Sequence, residues 1–117
     1  MTRPLRVLVV EDEMTIALMI EDMLEDMGHR VTALAMRLGP ALEAARTAEI
    51  DFALLDINLD GQFSFPVAEV LLARGVPFAF ASGYGSKGLD PAFRKHPMIR
   101  KPFDQQTLKQ VIESEAA

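Results

Sequence analysis

The chain has 117 residues and a formal net charge of −5, with half its residues hydrophobic, a quarter charged and no cysteine. That length holds one compact domain with its own core, and the acidic balance leaves no diffuse basic surface for DNA, RNA or an anionic membrane. Without cysteine there is no disulfide, no thiol nucleophile and no thiolate metal site. The first ten residues lack the h-region of a signal peptide, and no apolar stretch approaches membrane-spanning length, so a cytoplasmic protein is expected.

Leu5-Arg6-Val7-Leu8-Val9-Val10 is apolar and β-branched and reads as a first strand, ended by Glu11-Asp12-Glu13. From Met14 the period becomes helical. Ile16, Ile20, Met23, Leu24 and Met27 share one side, Glu21, Asp22, Glu25 and Asp26 the other, and Gly28 stops the helix. Val31 to Ala35 reads as a second strand. Gly39-Pro40 opens a second helix, with Leu42, Ala45 and Ala48 as its packing stripe. Phe52-Ala53-Leu54-Leu55-Asp56 is a third strand, apolar on both faces until its last residue. Ser64 is placed to cap a third helix with Pro66 in its first turn, and Gly75 ends it. Val76 to Ser82 is a fourth strand, ending in a hydroxyl. Residues 83–97 hold three glycines and two prolines, and Asp90-Pro91 can start only a short helix there. Met98-Ile99-Arg100 is a brief fifth strand before Lys101-Pro102. Asp104 caps a last helix with Leu108, Val111 and Ile112 inward.

Five strands alternating with five helices predict an α/β fold, a three-layer αβα sandwich built on a parallel sheet with right-handed crossovers. One domain over residues 1–117, with no output domain, is expected. The C-terminal ends of parallel strands lie along one edge, where open α/β folds place their ligands. Glu11, Asp12, Asp56, Ser82 and Lys101 all fall there. Singly, each has an ordinary explanation: Asp56 caps a turn, Glu11 and Asp12 begin a helix, Ser82 sits in a turn, and Lys101 is a solvated charge. Jointly they are harder to dismiss. Three clustered carboxylates repel one another unless a cation joins them, and hard oxygen donors suit Mg²⁺. A lysine and a hydroxyl beside a metal-bound carboxylate make a site for a phosphoryl group.

Val-Val-Glu11-Asp12, Leu-Leu-Asp56, Ser82-Gly83 and Lys101-Pro102, in this order and spacing, resemble the response-regulator receiver (CheY-like) domains of two-component signalling. The resemblance covers essentially the whole chain. It implies a flavodoxin-like (βα)5 doubly wound sheet with strand order 2-1-3-4-5. It implies Asp56 as the phosphoacceptor for a sensor histidine kinase. Mg²⁺ (or Mn²⁺) would be held by Asp12 and Asp56, with Glu11 assisting through water and the Asn58 backbone carbonyl completing the protein ligands. Lys101 would pair with the phosphoryl oxygens, Ser82 would donate its hydroxyl to one of them, and the bond before Pro102 would be cis. A downstream effector or phosphotransfer protein is implied as a further partner, and a monomer or weak dimer as the assembly. The family's aromatic switch residue, two positions before the lysine, is Ile99 here. Pro77-Phe78-Ala79-Phe80-Ala81-Ser82-Gly83-Tyr84-Gly85 instead resembles the Phe-Ala-Thr-Gly-X-Tyr signature of single-domain alphaproteobacterial receivers, with Ser82 for the threonine and Tyr84 with the Gly-rich segment after it as the expected moving element.

Three partial motifs lead elsewhere. Gly83-Tyr84-Gly85-Ser86-Lys87-Gly88 matches G-x-G-x-x-G, but it precedes a proline-broken segment rather than the helix of a first βαβ unit. Asp56-Ile57-Asn58-Leu59-Asp60-Gly61 copies the first half of an EF-hand loop, but its twelfth position is Val67 and a strand precedes it. Ser82 with His29 or His96 hints at a hydrolase, but Phe80 stands where G-x-S-x-G needs glycine, and both histidines read as loop residues. Two rival functions remain: a Mg²⁺-dependent phosphohydrolase using Asp56 as nucleophile, and an adaptor that is never phosphorylated.

Overall fold

In the computed structural model, residues 3–83 and 91–116 are described. Strand β1 (Arg6–Val10) leads into helix α1 (Met14–Asp26), then β2 (Arg30–Ala35), α2 (Leu38–Thr47) and β3 (Phe52–Asp56). A small antiparallel hairpin follows, pairing Asn58–Leu59 with Gln62–Phe63. Helix α3 (Phe65–Arg74), β4 (Phe78–Ser82), a 3₁₀ turn (Pro91–Phe93), β5 (Met98–Arg100) and α4 (Gln105–Ala116) complete the described chain. The five main strands are parallel and lie in the order β2-β1-β3-β4-β5, the doubly wound arrangement expected.

Each central strand is apolar on both faces because both faces are covered. Leu8, Val10, Ala53 and Leu55 point into one layer with Ala41 and Ala45 of α2 and Val67, Ala68 and Leu71 of α3. Val7, Val9, Phe52 and Leu54 point into the other with Ile20 and Leu24 of α1 and Leu108 and Ile112 of α4. The α3-side layer extends into rings. Phe63 stacks on Phe65 at 5.3 Å, Phe65 on Phe93 at 5.4 Å, and Phe80 meets Phe93 edge-on at 5.6 Å.

Two of the helix ends expected from the sequence are formed as expected and one cap is not. Gly75 closes α3 at φ +72°, a left-handed conformation that glycine takes without strain. Asp104 caps α4, its Oδ1 accepting from the Thr107 N–H and hydroxyl, both at 2.8 Å. The expected side-chain cap of α3 is absent. Ser64 is the N-cap, but its N–H is tied to the Ile57 carbonyl at 2.9 Å and its φ/ψ of −86°/5° is not the extended conformation a capping side chain needs. Its hydroxyl is buried without a partner among the described residues. The fourth crossover also differs from five full helices. Its described part holds only the 3₁₀ turn, because Pro97 follows closely and keeps the residue before it out of helical geometry. Residues 84–90 lie outside the described chain.

His29 is not an ordinary loop residue. It is 6% exposed, and its Nδ1 accepts a hydrogen bond from the Leu5 N–H at 3.0 Å. Burial holds its basicity below the ordinary histidine value. A base lowered in this way stabilises the fold above its unfolded value and loses that contribution as pH falls. His29→Ala is therefore expected to cost about 1–2 kcal/mol at pH 8, since it orphans a buried N–H, and less at pH 5. Urea titrations at the two pH values measure it. Among the described residues no helix is long and apolar enough to cross a membrane.

Candidate functional site

Strand register brings the site together. Val10 pairs with Leu55, so Glu11, next along, falls level with Asp56. Asp56 pairs with Ala81, and Ser82 pairs with Arg100, which places Ser82 and Lys101 one step beyond. Two backbone bonds fasten this edge: Glu11 N–H to the Ala35 carbonyl at 3.0 Å, and Lys101 N–H to the Ser82 carbonyl at 2.8 Å. The Lys101–Pro102 peptide is cis.

Lys101 reaches back along the edge rather than into solvent. Its Nζ lies 2.7 Å from Glu11 Oε1 and 3.2 Å from Asp56 Oδ2, with only 14% of its side chain exposed. Glu11 is 1% exposed, and its second oxygen accepts from the Glu13 N–H at 3.2 Å. Asp12 is the least buried of the three acids, and its Oδ2 accepts from the Asp60 N–H at 3.0 Å. Glu11, Asp12 and Asp56 each offer an oxygen, all within 4.8 Å of one another. Asp12, Asp56, Asn58, Lys101 and the buried Ser82 line a cleft of about 880 Å³ together with the apolar side chains of Ile16, Met19, Phe63 and Phe103.

The charges are unevenly shared. Burial first, and Glu11 second, push the Asp56 carboxyl up to about 7 against the pull of Lys101. Burial works the other way on Lys101, but its bonds to Glu11 and Asp56 outweigh it and raise the ammonium above its ordinary value. Asp12 is lowered: burial opposes ionisation there, but the Asp60 N–H and hydrogen bonding with Glu11 and Asp56 prevail. Three carboxylate oxygens within 4.8 Å of one another beside a single lysine are short of positive charge, and the donors are all hard oxygens. That set fits Mg²⁺ or Mn²⁺ and disfavours softer metals.

Every expected site residue that is described converges here: Glu11, Asp12, Asp56, Asn58, Ser82, Lys101 and Pro102. Tyr84 lies outside the described residues. Ile99 is 2% exposed within the α1/α4 layer. Two features escaped the sequence reading. Phe63 stands 51% exposed at the cleft mouth, with no local signal to mark it. The Asp60 N–H grips Asp12, and Asp60-Gly61 does carry a signal, since Asp-Gly between short strands is a hairpin turn.

A parallel sheet in this order, with three acids, a lysine and a hydroxyl at its carboxyl edge, defines a response-regulator receiver domain, and the chain belongs to that family. The solution structure of SdrG from Sphingomonas melonis Fr1 is 37% identical, covering 97% of this chain and 98% of that one, with a TM-score of 0.87. The receiver (REC) domain of the PhyR response regulator from Erythrobacter litoralis is 30% identical, with 95% and 88% coverage and a TM-score of 0.82. A CheY-like receiver domain from Methylobacillus flagellatus, at 24% identity, shares the fold with a TM-score of 0.83 over 96% of this chain and 98% of that one. No protein-family model matches the chain, and no curated protein does.

Proposed function

We propose that this chain is a stand-alone response regulator that accepts a phosphoryl group on Asp56 from a phosphohistidine of a sensor kinase and thereby changes its affinity for a downstream partner. The observation that carries this reading is the convergence on Asp56: Lys101 Nζ at 3.2 Å and two further carboxylates within ligand-sharing distance, at the edge of an open cleft.

In the reaction an Asp56 oxygen attacks phosphorus, a P–O bond forms, and the P–N bond to the donor imidazole breaks with its electron pair going to the ring nitrogen, so that a ring already protonated on its other nitrogen leaves as neutral imidazole. Asp12, Asp56, Glu11 and the Asn58 backbone carbonyl would hold Mg²⁺, which when bound supplies the charge that keeps Asp56 ionised and offsets the transferred oxygens. Lys101, anchored on Glu11, stays beside Asp56 and neutralises the phosphoryl group as it arrives. Ser82, at the cleft, donates its hydroxyl to the product and so reports phosphorylation to β4. The main chain of Ser82 is bonded to that of Lys101, so the two respond together.

The test is intact mass after incubation with acetyl phosphate. One added phosphoryl group is expected, requiring Mg²⁺ and absent in Asp56→Asn. Phosphate release without lasting label would favour the phosphohydrolase. A folded parent that neither labels nor turns over would leave the adaptor.

A further inference from the structure

The Asp12 carboxylate, just after β1, is held by the N–H of Asp60, 48 residues along the chain in the loop after the adjacent strand β3. The hairpin that presents this N–H is a two-residue turn whose central residues both have positive φ, +51° at Asp60 and +88° at Gly61, as the tight hairpin turns require. Leu59 pairs with Gln62, so the ladder leaves both turn amides unbonded. Each is taken by a side chain. Gly61 N–H donates to Asn58 Oδ1 at 2.8 Å and closes the turn, and Asp60 N–H donates to Asp12. The hairpin base is pinned by the Ser64 N–H on the Ile57 carbonyl at 2.9 Å. Asp60 is the one non-glycine residue with positive φ among the described residues, and aspartate is one of the few L residues that this turn type favours there.

We propose that the Asp60-Gly61 turn is a positioning clip for Asp12, fixing this carboxylate for the metal before the metal arrives, so that Asp60 acts on Mg²⁺ affinity through its backbone N–H and not its side chain. The inference rests on the receiver reading of the acid cluster. A carboxylate already held by a charge-assisted bond loses less freedom on coordination than a free one. The clip also joins two of the loops that build the site, the one after β1 and the one after β3, so a shift of the hairpin moves a metal ligand directly.

The chemistry of position 60 gives a graded test, with Mg²⁺ affinity read by titrating backbone amide shifts with MgCl₂. Asp60→Gly keeps the N–H and relaxes φ, and is expected to match the parent within about twofold. Asp60→Ala keeps the N–H but disfavours the turn, and should weaken Mg²⁺ by about two- to threefold. Asp60→Pro removes the N–H and the positive φ, and should weaken it by about five- to tenfold. Labelling rate at saturating Mg²⁺ stays within about twofold across the series, because the clip sets affinity and not chemistry. Slow hydrogen exchange of the Asp60 N–H in the metal-free parent, lost in Asp12→Ala, is the reciprocal signature. Equal Mg²⁺ affinity in Asp60→Ala and the parent, with an Asp60 N–H that exchanges freely, overturns the clip even where Asp60→Pro does not fold. A parent that binds no Mg²⁺ at all overturns the receiver reading instead.

Discussion

Lys101→Met is expected to cost the metal-free protein about 3 kcal/mol at pH 8, because it leaves two buried carboxylates without their cation. Methionine keeps the apolar stem and removes only the ammonium that lies 2.7 Å from Glu11 and 3.2 Å from Asp56. At pH 5 the carboxylate pair takes up a proton, the repulsion disappears, and the cost should fall to about 1 kcal/mol. The parent ammonium is raised, so its own contribution is complete below the ordinary lysine value and declines only in strong alkali. Urea unfolding at the two pH values separates charge from packing. An equal cost at both would assign the loss to packing and remove Lys101 from the electrostatics of the site. Phosphoryl labelling should also slow by about a hundredfold, the usual consequence of deleting one group that neutralises a developing charge.

Asp56→Asn should do the reverse. The folded protein holds the Asp56 carboxyl at about 7, far above its ordinary 3.8, so the fold retains a proton that the unfolded chain gives up. Stability from this group is complete below pH 4, falls as pH rises towards 7, and is lost above it. The amide has no charge to bury. We expect the variant to be more stable than the parent by about 2 kcal/mol at pH 8 without metal, the full shift being discounted for the lost Lys101 contact, and nearly equal at pH 4. Mg²⁺ should invert the order at pH 8, since it stabilises the parent by binding and the variant far less. Asp51, at the other end of the sheet and lowered by its fork to Arg6, loses its contribution only in acid, outside this window. A variant less stable than the parent at pH 8, or unaffected by pH, would mean that Asp56 is ionised and satisfied in the metal-free fold.

What was legible in the chain follows from how each feature is encoded. The central strands announce themselves because a sheet covered on both faces needs unbroken apolar runs, and β1, β3 and β4 stop at residues the edge can use, Glu11, Asp56 and Ser82, while Lys101 follows β5. The Lys101–Glu11 bond spans 90 residues and leaves no local trace; the family resemblance brought Lys101 to the site as a partner of phosphoryl oxygens, not of Glu11. The hairpin failed for a different reason. Asp60-Gly61 carries a correct turn signal, but its flanking strands are two residues each, too short to show alternation, and the acids around it resemble a calcium loop. Ser64 has the right residue type for a cap, and a backbone bond made elsewhere sets its geometry.

The sheet also divides the protein in a way that bears on how it can change over generations. Leu54 and Leu55 are neighbours in the chain, yet they belong to separate hydrophobic bodies on opposite sides of a wall of backbone. A substitution in one body is accommodated first by the residues packed with it there, so the two can drift along separate histories. The α1/α4 side and the α2/α3 side are thus free to acquire different surfaces and different associations. Only the carboxyl edge, which carries Glu11, Asp12, Asp56, Ser82 and Lys101, must answer to both.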